Sequence, residues 1–101
     1  MADHLPQEDS AIVIKRQIIR SASSAAANYR AACIAKSTKD FINKLKIVEE
    51  ELDETCHWLE SIEDRNFFSS TRLIELKKET SELLAITVAS IKTAKRNLGI
   101  K

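Results

Sequence analysis

The sequence predicts an all-α protein folded as an up-down antiparallel helical bundle, and three observations predict it. The 101 residues include a single glycine and a single proline. A sheet protein needs turn chemistry every ~8–12 residues, and two breakers cannot supply it. Ala, Glu, Lys, Leu and Arg make up 47 of the residues, close to the half share that marks long helices or coiled coils. Apolar side chains also recur three and four positions apart over long windows, the period of a helix buried on one face. A chain of this length forms one domain at most.

Residues 1–9, with Pro6, read as an N-terminal tail or linker, and residues 10–101 as the bundle domain. A first helix is predicted over about 10–35. It carries two apolar stripes side by side: Ala11, Ile14, Ile18, Ala25, Tyr29 and Ala32 in one, Ile12, Ile19, Ala22, Ala26 and Cys33 in the other. A helix apolar over so much of its girth expects several neighbours. The small side chains from Ser21 to Ala27 let another helix approach closely. The polar stretch Lys36–Asp40 ends this element, and Ser37 with Asp40 reads as a capping box opening a second helix over 38–64. Its stripe is Phe41, Leu45, Val48, Leu52, Cys56, Leu59 and Ile62. A second polar stretch ends in the candidate N-caps Ser70 and Thr71.

The third helix, predicted over 72–98, aligns Leu73, Leu76, Thr80, Leu83, Thr87, Ile91, Ala94 and Leu98. Further apolar positions stand at Leu84, Ile86 and Val88, and Gly99 is placed as the stop. Short connections make sequential helices antiparallel. Surplus apolar surface on the first and third helices predicts that a fourth helix or a second subunit covers it.

Catalytic and ligand-binding constellations are scarce. Glu54 and His57 have the i, i+3 spacing used in di-iron bundles. The first helix offers no acid between Ala11 and Lys39 to complete the ligand set, so no metal is expected. One glycine excludes a phosphate-cradling loop, and no nucleophile elbow or zinc spacing appears. No enzyme activity, cofactor or small-molecule substrate is therefore expected. Cys33 and Cys56 fall ~22 Å apart in height along an antiparallel hairpin, too far for a disulfide. Both are read as buried thiols. Trp58 and Tyr29 are read as core or interface residues, and Asn28 as a buried hydrogen-bonding or register residue. No apolar run approaches the ~20 residues of a membrane span, and the first residues carry no signal-peptide pattern. The expected location is the cytoplasm.

Charge is the informative constellation. The net charge of +1 hides four blocks: −3 over residues 1–10, +6 over 11–39, −7 over 40–64 and +5 over 65–101. Folding the helices up, down and up brings Arg30, Lys36, Lys39, Lys44, Lys46, Lys92, Lys95, Arg96 and Lys101 to one end, with Asp40 the only acid there. Such an end has the electrostatic footprint of a nucleic-acid site. The alternative is a structural or protein-interaction module in which segregated charge fixes subunit register. The acidic run in the second helix opposes that helix's dipole and so expects basic neighbours.

Several stretches resemble one family. They are Gln17–Ser24, Ala27–Ala32, Ser37–Ile42, Ile47–Thr55, Trp58–Glu60 and Glu79–Ile86. As a set they are similar to the bacterial four-helix bundle proteins, also called the 23S rRNA intervening sequence protein family, over about Leu5 to Leu98. The resemblance implies an antiparallel bundle, a homo-oligomer that is commonly a pentamer, binding of RNA or DNA through basic surfaces, and no catalysis. Members of the family have a full helix before the Leu5-Pro6 linker, where this chain has four residues. The expectation is a bundle lacking the family's first helix, and a chain that self-associates or is marginally stable.

Overall fold

A computed structural model describes residues 7–65 and 71–99, which form three helices. They are α1 (Gln7–Cys33), α2 (Thr38–Asp64) and α3 (Thr71–Leu98). The second helix has the predicted bounds, and its start has the predicted cause. Ser37, in extended backbone, accepts the Asp40 N–H on its Oγ at 3.0 Å, so one of the orphan donors of the first turn is satisfied.

The first helix departs from expectation at both ends. It begins at Gln7, so the predicted tail of residues 1–9 gives up its last three positions. No breaker separates Gln7 from Ser10, and Gln and Glu are good helix formers. It ends at Cys33 rather than Ala35, because the N–H groups of Ile34 and Ala35 bond the carbonyls of Ala31 and Ala32 three residues back. Such bonds tighten and terminate a last turn. The third helix starts at Thr71, one position before its predicted start. The candidate cap Ser70 lies outside the described residues. Gly99 has φ +77° and donates its N–H to the Arg96 carbonyl at 2.9 Å, a glycine C-terminal stop of the expected kind.

The bundle is organised around α2. Its α1-facing and α3-facing sides are both packed, whereas no Cα of α1 approaches one of α3 within 8 Å among the described residues. In cross-section α2 is the corner of an L and the fourth position of the square is open. The molecule is accordingly long and thin, 55 × 29 × 21 Å.

Two apolar clusters lie along α2. One joins Ala25 and Ala32 of α1 to Ile42, Leu45, Val48 and Leu52 of α2 and to Ile91 and Ala94 of α3. The other joins Ile14, Leu59, Ile62 and Leu73 at the opposite end. Each fully buried Leu, Ile or Val side chain contributes about 1.5–3 kcal/mol, so these clusters hold the hairpins together. Between them lie the buried hydroxyls of Ser21, Thr55 and Thr80, and Thr87 is buried between Leu84 and Ile91 of α3.

The predicted stripes need correction where one or both neighbours are missing. On α2 the buried positions include Ile42 and Thr55, while Phe41 and Cys56 are half-buried. Facing two helices turns the buried arc of α2 between two directions, so it widens beyond one i, i+3/i+4 line. On α3, Leu83 and Leu98 are exposed; on α1, Tyr29 is exposed. The whole second stripe of α1 (Ile12, Ile19, Ala22, Ala26 and Cys33) is exposed as well. Cys33 is therefore not the buried thiol expected: it ends α1 on the stripe that is exposed along that helix.

Candidate nucleic-acid interface

The antiparallel packing sets the end of α1, the start of α2 and the end of α3 side by side. Ala32, Ile42 and Ala94 share a core cluster there, and Phe41 lines a cleft with Ser90, Thr93 and Asn97 of α3. Eight of the nine basic residues singled out belong to this end. Arg30 lies in the last turn of α1, Lys36 in the α1–α2 connection, Lys39, Lys44 and Lys46 in the first turns of α2, and Lys92, Lys95 and Arg96 in the last turns of α3. Lys101 lies outside the described residues. Lys44 and Lys95 are half-buried and the other six are exposed. The eight share an end rather than a face. Lys44 and Lys46 are two positions apart on a helix, so their side chains diverge by about 160°.

The ion pairs of Arg20 and of Lys77 lie away from this end. Arg20 of α1 pairs with Glu51 and Glu54 of α2, and Lys77 of α3 pairs with Glu63 of α2. Among the described residues, none of the eight bases forms an ion pair with a carboxylate. The acidic half of α2 thus has the basic neighbours its sequence called for, and the basic end keeps its charge. Arg20 holds the Glu54 carboxyl below the usual carboxylate range, chiefly by its hydrogen bond and with help from the Trp58 indole N–H. Glu63 raises the Lys77 ammonium in the same way.

Helix dipoles sort the cations of the basic end into two kinds. Arg30, Lys95 and Arg96 close helices, where the partial negative charge favours them. Lys36 and Lys39 stand instead at the N-terminus of α2, where the partial charge is already positive. Asp40 is the acid in that first turn.

The other residues weighed for function have structural employment. Glu54 accepts from Arg20 and Trp58, and His57 lies edge-on to the Trp58 ring with centroids 4.9 Å apart. Trp58 packs half-buried against the second core cluster, as expected of it. Asn28 is half-buried but bonds only within its own helix, donating to the Ser24 carbonyl at 2.9 Å and to its Oγ at 3.4 Å, so it sets no register between helices. Burial pushes the Cys56 thiol up. No group of three or more metal-ligating side chains occurs among the described residues, and no helix there is long and apolar enough to cross a membrane. Sequence reasoning missed the Ser21–Thr55 pair. Both are hydroxyl residues at core-facing positions of the helical period, and that was the available signal.

Comparisons with known proteins agree with this architecture. A crystal structure of a protein of unknown function from the S23 ribosomal protein family of Bacteroides thetaiotaomicron matches with a TM-score of 0.75. It is 35% identical, and the match covers 79% of this chain and 74% of that one. A comparison with curated proteins gives no match. Residues 1–89 match the model of the 23S rRNA-intervening sequence protein family. On that match and on its helical bundle, the chain belongs to the 23S rRNA-intervening sequence protein family.

Proposed function

We propose that this protein is a non-catalytic, homo-oligomeric accessory factor of the cytoplasm that holds RNA or DNA against its basic end. The observation that supports the reading best is the placement of Lys36 and Lys39. Capping explains cations at the C-termini of α1 and α3, but two more at the positive end of α2 work against the local dipole. An end that keeps unpaired cations in an unfavourable field suits a polyanion, whose phosphates neutralise side chains and helix terminus together. Bases spread around an end, rather than along one groove-sized face, favour contacts to the phosphate backbone with little sequence preference.

The test is fluorescence anisotropy with labelled single-stranded RNA, duplex RNA and duplex DNA across a salt series. The expected result is binding at low salt, weakening steeply as salt rises, and loss of binding when Lys92, Lys95 and Arg96 are all changed to Glu. Failure to bind any of the three at low salt overturns the reading. The charge pattern then returns to the alternative, a structural module in which charges fix register as Arg20 does with Glu51 and Glu54.

A further inference from the structure

Phe41 belongs to the basic end and lines two clefts there. One, of about 440 Å³, it shares with Ser90, Thr93 and Asn97 of α3. The other, of about 390 Å³, it shares with Ala32 of α1 and with Lys36 and Ser37 of the α1–α2 connection. Both volumes fall in the ~300–1,000 Å³ range of ligand sites. The ring packs half-buried against the larger core cluster, and its remaining surface is turned to the clefts.

The polar side chains on the α3 wall differ from the hydroxyls further back along that helix. Thr80 and Thr87 donate to the carbonyls of Leu76 and Leu83 in their own helix, at 2.7 and 2.8 Å. Among the described residues, Ser90, Thr93 and Asn97 make no side-chain hydrogen bond. Thr93 and Asn97 are exposed and Ser90 is half-buried. Their spacing of three and four residues puts all three on one face of α3. Hydroxyls donate or accept, and an Asn amide offers both a carbonyl and an NH2 group. An aromatic ring beside a row of such groups suits a flat ligand with an apolar face and a polar edge. A nucleobase has that shape and that chemistry.

Cations border the same clefts. Lys36 lines the smaller one. On α3, Lys92 stands three positions after Ala89 and Arg96 three after Thr93, so the two exposed cations form the row beside the cleft wall. Lys44 stands three positions after Phe41 on α2. Asp40, the acid of this end, lies about 100° around α2 from Phe41. A base held against the ring therefore has cations near the phosphates on either side of it.

We infer that the cleft between Phe41 and α3 takes an unpaired nucleobase of a single strand, stacked on the Phe41 ring with its edge toward Ser90, Thr93 and Asn97. This deepens the reading given under the proposed function and rests on it: the cations hold the backbone, and the ring holds a base. In a duplex both faces of a base are covered by its neighbours and its edge is turned to its partner, so only an unpaired base can enter. Stacking tolerates any base, because every base has a π-face, and so agrees with contacts that carry little sequence preference.

The experiment is fluorescence anisotropy of the full chain with three labelled strands of equal length: oligo-U, oligo-dT and a strand of abasic tetrahydrofuran residues. The abasic strand keeps every phosphate of oligo-dT and lacks only the bases. The base-bearing strands are expected to bind at least about fivefold more tightly than the abasic one, the worth of one base stacked on one aromatic ring. A gap shown by both, or by one of the two, supports the inference and tells which sugar the site accepts. Phe41→Leu keeps an apolar side chain against the core and removes the ring. It is expected to close the gap by weakening the base-bearing strands alone, with the abasic strand and the salt slope unchanged, whereas loss of a cation would flatten that slope. Thr93→Ala combined with Asn97→Ala, both at exposed sites, is expected to narrow the gap as well. Equal binding of all three strands by the parent protein overturns the inference and leaves the basic end a phosphate site. So does a gap that Phe41→Leu leaves intact. If Phe41→Leu does not fold, a gap unchanged by the Thr93 and Asn97 substitutions overturns it instead. Binding of no strand at low salt sinks the reading on which the inference rests, a result distinct from equal binding of all three.

Discussion

The hydroxyls of Ser21 and Thr55 lie 2.7 Å apart in the interface of α1 with α2, and Ser21 is 0% exposed. Thr55 donates its proton to the Glu51 carbonyl at 2.8 Å, which leaves its oxygen to accept from Ser21. One residue before Ser21, Arg20 reaches Glu51 and Glu54 on the rim of the same interface. The pair and the ion pairs agree on one register, because a slip of α1 by one residue replaces Ser21 with Ala22 and turns Arg20 away. A hydroxyl pair of this kind is expected to couple by about 0.5–1.5 kcal/mol. Urea denaturation of Ser21→Ala, Thr55→Val and the double variant measures it. Additive losses remove the pair from the account of register.

Glu54 predicts an acid limb. Its carboxyl sits below the ordinary range in the folded chain because of Arg20, then Trp58. A group lowered in this way contributes stability that is complete above its unfolded value and is lost as pH falls through the folded value. The window therefore opens near pH ~4.3 and extends downward. Glu54→Gln is expected to lower the urea midpoint near neutrality, where the contribution is complete, and to converge on the parent protein below that window, so that the fall between them is flatter. Lys77, raised by Glu63, has the opposite sign, so its contribution is complete below its unfolded value and lost at alkaline pH.

Leu45 and Ile74 separate core from surface. Leu45 is 1% exposed in the larger cluster, while Ile74 is among the exposed apolar residues of α3. Leu45→Ala is expected to cost about 2–5 kcal/mol, with each kcal/mol worth about 4–8 °C of melting temperature in a domain this size. Ile74→Ala is expected to stay within about 0.5 kcal/mol. Equal losses would mean that the stripe on α3 faces another direction.

Helix number, helix period and the cap at Ser37 were legible because they depend on neighbours in sequence. Buried partners were legible only in part. Leu45, Leu52 and Ile91 fall on the predicted stripes, but Leu83 and Tyr29 fall on them too and stand in solvent. Periodicity reports that a face is apolar, not which neighbour covers it, and here no Cα of α1 comes within 8 Å of one of α3 among the described residues. Ser21 and Thr55 escaped notice because each is polar in type, and only a partner makes a buried hydroxyl favourable. The gathering of basic residues at one end followed from counting charges along an up-down-up path. Their division into dipole-favoured and dipole-opposed cations needed the observed helix bounds.

Lys39 predicts a trade between stability and binding. It lies in the first turn of α2, where a negative charge is favoured by a few tenths to about 1 kcal/mol. Lys39→Glu is therefore expected to raise the urea midpoint slightly while weakening binding of RNA or DNA and reducing its salt dependence. Lys95→Glu, at the end of α3, is expected to lower both. Thermal or urea melts beside anisotropy decide the point. A Lys39 variant that loses stability and leaves binding unchanged would make that lysine a structural residue.

The two thiols report on the packing of the bundle. Cys33 is exposed and Cys56 is half-buried, with a thiol that burial pushes up. Reaction with maleimide requires both access and thiolate, so in dilute protein Cys33 is expected to label well ahead of Cys56. Cys56 lies between α2 and α3 beside Lys77 and Ser81, so its labelling rate is expected to rise toward that of Cys33 as urea opens the bundle, while that of Cys33 changes little. Mass spectrometry of quenched samples distinguishes the two sites. Equal rates in the folded protein would mean that the packing of α2 against α3 leaves Cys56 as open as Cys33.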